Sequence, residues 1–285
     1  MPTLVYDQYQ TLHSFQARSV GEALSPNSTQ RITLYVIAGY ALFILIAWNL
    51  WGLRHIIYPF KLLTVAFHEF SHAIVGKCTG ARIESITLDP NEGGLTKMRG
   101  GIQACTLPAG YLGSSLIGAL LIFAGFDTVA SKVASIILAV MLLITLWWAR
   151  NWLTRIVVVI AIGIMVAFWF IDHGSPLRFY VLFNGVMSCL YSVWDIVDDL
   201  VFRKVNESDA TQFAKLCPII PSRVWGVIWL LISVIFMLGG ILAGLAAFKD
   251  STSEQTSASQ RQHLLDHPRD MHTGTRMHIS PHPTS

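Results

Sequence analysis

The 285-residue chain carries little charge. Asp, Glu, Lys and Arg make up 13% of it, about half the share usual in soluble domains. The formal net charge is only +3, too small to imply a polyanionic partner, and the apolar composition excludes a nucleic-acid-binding chain. Cysteine is scarce as well. Cys78, Cys105, Cys189 and Cys217 form no C-x-x-C pair, so neither a zinc finger nor a disulfide framework is expected. No internal repeat is visible. The first thirty or so residues hold no basic stretch followed by an apolar one, so no cleavable signal peptide is expected.

Apolar side chains, in contrast, make up 53% of the chain. They gather in runs long enough to cross a hydrocarbon layer of about 30 Å. The runs are 34–51, 56–76, 106–126, 133–148, 152–171, 179–201 and 224–248. Tryptophans cluster near several run ends (Trp51, Trp147, Trp148, Trp152, Trp225), as interfacial anchors do. The expected fold is an all-α polytopic membrane protein in a lipid bilayer, with six to seven transmembrane helices. Residues 82–105, Gly-rich around Gly93 and Gly94, predict a short hairpin or re-entrant loop after the second span. Its strand edge would suit an unwound substrate segment. Residues 1–32 read as a disordered N-terminal segment, 33–248 as the membrane domain and 249–285 as a disordered polar tail.

Lys and Arg concentrate on the side that would hold the N-terminus, including Lys77, Arg82, Lys97, Arg99, Arg150 and Lys215. That side is expected to be cytoplasmic. Seven spans would then carry the tail across the membrane. The composition fits an endomembrane or a bacterial inner membrane alike.

Ionisable residues inside spans are costly and point to function. The second span contains His68-Glu69-Phe70-Ser71-His72. Residues four apart share a helix face, so His68 and His72 can present nitrogens to one Zn2+. Glu69 stands beside them as general base, the H-E-x-x-H arrangement of metalloproteases. A catalytic zinc takes a third protein ligand and keeps one position open. The sixth span offers a polar stripe of Asn184, Ser188, Ser192, Asp195, Asp198 and Asp199. At about 1.5 Å per residue, Asp195 reaches the depth of His72. Asp195 is the expected third ligand and Asp198 the alternative. Asn184 is a candidate hydrogen-bond donor to substrate.

Four segments carry a family resemblance: HEFSHAIVGKCTGARIESITL at 68–88, Gly93-Gly94, LPAGYLGSSLIG at 107–118, and YSVWDIVDD at 191–199 followed by Ser208-Asp209-Ala210. With them the chain resembles the site-2 protease family of intramembrane zinc metallopeptidases, in its compact B-like branch. The resemblance implies zinc at His68, His72 and an aspartate, with Glu69 as base. It also implies cleavage of membrane protein substrates within a transmembrane helix, near the cytosolic face. Better-known members carry an Asp-Gly pair in the later motif, whereas Ile196 follows Asp195 here. The competing reading is a non-catalytic scaffold of the same fold that binds client helices. A transporter is disfavoured by the lack of repeated halves.

Overall fold

The computed structural model describes residues 24–89, 93–201 and 208–249, with the side chains of Asp195 and of residues 197–201 outside the description. In chain order the elements are α1 (Ser28–Asn49), α2 (Leu53–Cys78), β1 (Arg82–Asp89), β2 (Gly93–Arg99), α3 (Gln103–Ala124) and α4 (Thr128–Trp148). They continue as α5 (Trp152–Phe170), a 3₁₀ turn (Ile171–Gly174), α6 (Ser175–Val201), α7 (Asp209–Leu216) and α8 (Ser222–Ala247).

Five helical stretches among the described residues are long and apolar enough to cross a membrane: α1, α3, α4, the stretch Trp152–Trp194, and α8. The sequence reading counts about seven. Helix α2 is not in the set, because Arg54, His55, Lys61, His68, Glu69, His72 and Lys77 dilute its apolar residues. Stretch Trp152–Trp194 is folded into two legs by consecutive left-handed residues, Asp172 (φ 44°), His173 (φ 54°) and Gly174 (φ 89°). Phe168 on one leg meets Tyr180 on the other, ring centroids 5.8 Å apart.

Helix α3 lies among α2, α6 and α8. Small residues permit this crowding. A Cβ on Gly118 would strike Cys189 Sγ and the Gly185 carbonyl, and one on Gly240 would strike the Ala119 backbone. Hydroxyls fill the same seams. Ser188 donates to the Ser114 carbonyl (2.9 Å), Ser114 and Ser192 share a hydrogen bond (2.9 Å), and Ser115 donates to Ser233 (2.7 Å). Ser188 and Ser192 of the α6 polar stripe are thus turned toward α3, where each hydroxyl finds a partner.

The two strands form an antiparallel hairpin pairing Arg82 with Arg99 through Asp89 with Gly93, with a bulge between Ile83 and Ser85. The turn between α4 and α5 holds the outer edge of β1. Thr154 Oγ1 accepts from Leu88 N–H (2.9 Å), and Asn151 Nδ2 donates to the Leu88 carbonyl (2.6 Å). No described strand pairs with the outer edge of β2.

The first turn of α1 is sewn to the end of α8. Asn27 caps α1 in a capping box with Gln30. Its Nδ2 also donates to the Lys249 carbonyl (2.8 Å), and Gln30 Nε2 donates to the carbonyls of Leu245 (2.9 Å) and Phe248. Arg178, buried at the start of α6, joins the same end of the bundle through Thr33 Oγ1 (2.6 Å) and the Gly125 carbonyl (2.9 Å). This corrects the expectation that the tail leaves on the face opposite the N-terminus. The positions flanking the helical bundle share one end of it, and buried polar atoms needing partners hold them there. Single cysteines at Ser25→Cys and Lys249→Cys, in a background without exposed cysteines, should therefore label from the same side of sealed vesicles. Labelling from opposite sides would refute this arrangement.

Candidate active site

Helix α2 brings His68 and His72 onto one face, one turn apart. Their Nε2 atoms are 3.0 Å apart. Asp209 Oδ2 lies 3.1 Å from each of them. His72 Nδ1 faces the Thr106 carbonyl at 2.7 Å. A ring nitrogen that close to a carbonyl oxygen carries the proton, so the neutral ring turns a lone pair at Nε2 toward the carboxylate. A single proton can serve only one of the three contacts, whereas a cation between the atoms serves all of them. Among the described residues, His68, His72 and Asp209 are the group able to hold a metal ion.

Packing aims these side chains. The His68 ring stands edge-on to Tyr111, centroids 4.8 Å apart and planes at 77°. Gly110, one residue earlier on α3, has no side chain because none fits: a Cβ there would fall on Nε2 of both histidines. Asp209 arrives on α7, whose N-cap Ser208 accepts from Thr211 N–H (3.3 Å). Phe213 anchors that helix between Trp225 (4.6 Å) and Trp229 (5.5 Å), and Trp229 also meets Tyr111 (5.9 Å).

Glu69 is buried at 5% exposure, yet it lines the same cavity of about 750 Å³ as the two histidines and Asp209. Its Oε2 accepts from Thr96 Oγ1 of β2 at 2.7 Å. Gln103, Asn151 and Gln212 line the cavity as well, adding polar groups to its wall.

The structure thus brings together His68, Glu69 and His72, but the acid described beside them is Asp209. Asp195 lies on α6 and Asp198 a turn further on, and their side chains fall outside the described residues. Asn184 is fully buried, donates to the Tyr180 carbonyl (2.8 Å) and does not line the cavity. Asp209 lies between the apolar runs 179–201 and 224–248, so acids inside the spans do not point to it. Its signal was a Ser-Asp helix start followed four residues on by an aromatic anchor, Phe213.

The crowding at Gly110 makes a direct test. Gly110→Ala should lower the thermal midpoint in detergent, by an overpacking cost of about 1–3 kcal/mol. An unchanged midpoint would mean that α3 can move off the histidines freely.

A family model described as Peptidase M50B-like matches residues 36–240. No curated protein and no solved structure matches the chain. The matched region runs from within α1 to within α8 and contains His68, Glu69, His72 and Asp209. With five apolar helical stretches among its described residues, the protein is a multi-pass integral membrane protein. Family model, helix architecture and the H-E-x-x-H turn agree, and the chain belongs to the site-2 protease family of metallopeptidases as a Peptidase M50B-like member.

Proposed function

We propose that this protein is a zinc-dependent intramembrane endopeptidase, with Zn2+ held by His68, His72 and Asp209 and with Glu69 as general base. One observation carries the reading: three ligand atoms lie within 3.1 Å of one another beside a buried glutamate at the wall of a cavity. Tetrahedral zinc with bonds of about 2.0–2.1 Å sets its ligand atoms about 3.3 Å apart, so the donor set fits. The Nδ1 hydrogen bond of His72 supports it further, since a ligating imidazole gives its other nitrogen to a fixed acceptor.

A zinc ion in such a site supplies Lewis acidity, lowering the pKa of water toward about 7 and polarising a carbonyl. The chain's own residues do the rest. Glu69 takes the proton of the attacking water and delivers it to the leaving amide nitrogen. The outer edge of β2, which borders the cavity, offers backbone groups to an unwound segment of a transmembrane substrate. Lys77, Arg82, Lys97, Arg99, Arg150, Arg155, Lys215 and Arg223 gather at the end of the bundle that holds the site. That concentration supports a cytosolic position for the site.

Metal content separates the possible third ligands. Protein purified in detergent should hold about one zinc per chain. His68→Ala and Asp209→Ala should lose it, and Asp195→Ala should keep it. Zinc lost from Asp195→Ala but kept by Asp209→Ala would return the role to α6. Glu69→Gln should retain the metal while cleavage falls by about 10² to 10⁴-fold, the usual worth of a general base. Full cleavage by that variant would refute the mechanism, and intact metal without any client cleavage would favour the scaffold.

A further inference from the structure

We infer that Thr96 is a positioning residue for Glu69, so that the strand bordering the cavity also sets the orientation of the general base. The inference rests on the protease reading above and deepens it.

Side chains alternate along a strand, so Gly94, Thr96 and Met98 share one face of β2. All three meet α2. A Cβ on Gly94 would fall on the Glu69 carboxylate, and one on Gly76 would strike Met98 Sδ. Thr96 Oγ1 lies 2.7 Å from Glu69 Oε2 and 3.0 Å from the Glu69 carbonyl. The hydroxyl has one proton, and the shorter contact, to the carboxylate, has the length of a charge-assisted bond.

The terminal torsion of glutamate is broad and two-fold, so a carboxylate left to itself turns readily. A base must hold one oxygen within about 2.6–3.2 Å of the proton it removes. Thr96 occupies Oε2 and leaves Oε1 for that task. Gly94 lets the strand lie flat against the carboxylate, where any side chain would push it aside. A substrate segment paired to the outer edge of β2 would therefore press on the same strand that holds the base.

The test compares Thr96→Val, which keeps the shape and removes the donor, with Thr96→Ser, which keeps the donor. Infrared spectra of glutamate-labelled protein, with the Glu69→Gln spectrum subtracted, read the Glu69 carboxylate band. The band should shift in Thr96→Val and stay in place in Thr96→Ser, with zinc content equal in both. An unshifted band in Thr96→Val overturns the hydrogen bond, whether or not a substrate is cut. Cleavage of fluorescein-labelled casein in micelles reads the role. In Thr96→Val, kcat should fall about 10- to 100-fold, as for a misplaced reacting group, with KM within about twofold. Thr96→Ser should restore it. Wild-type kcat in Thr96→Val beside inactive Glu69→Gln overturns only the role of Thr96. Cleavage that survives in Glu69→Gln overturns the base reading itself, and the role of Thr96 with it.

Discussion

Two imidazole nitrogens and a carboxylate oxygen, mutually within 3.1 Å, place a demand on everything around them. Lone pairs brought that close repel unless a positive charge lies among them. The surrounding structure must therefore hold the groups in place against their own repulsion. Thr106 pins one ring through its backbone carbonyl, Tyr111 braces the other, and the aromatic clasp around Phe213 keeps Asp209 at the site. Two of these restraints come from α3 and the third from α7 packed on α8, so the site exists only when α2, α3, α7 and α8 are assembled.

That assembly depends on how closely the helices can approach. In lipid the hydrophobic effect gives helices little reason to associate, and tight packing with internal hydrogen bonds takes its place. Helix α3 shows both devices along one stripe. Gly110 admits the histidines, Ser114 bonds to α6, and Gly118 lies flush against Gly185 and Cys189. This spaced-by-four stripe holds α3 against the histidine-bearing helix at Gly110, while the next two positions serve α6. The same economy explains the polar stripe of α6, whose serines are absorbed by packing.

The sewing of α1 to α8 follows from the same cost of burying unpaired polar groups. Helix ends leave carbonyls without intrahelical partners. At the end of α8 these are taken up by Asn27 and Gln30 across the bundle. Counting apolar runs cannot detect such a link, because it depends on which ends meet. This is why the reading from charge placed the N-terminus on the face of the site, whereas it shares the opposite end with the tail.

The pair His68 and His72 with Glu69 was legible from the chain alone, because helical periodicity converts a spacing of four into a shared face without help from elsewhere. The membrane class and the hairpin near Gly93 and Gly94 were legible too, since composition and turn residues act locally. Asp209 was not. Its approach to the histidines crosses 141 residues of sequence. It depends on Phe213 finding Trp225 and Trp229, a match of shapes that no local pattern encodes. Thr96 was equally silent, since a lone threonine in a strand has no meaning until the strand lies against Glu69. Local spacing names the groups attached to one element, while their partners are chosen by long-range packing, which only the folded chain evaluates.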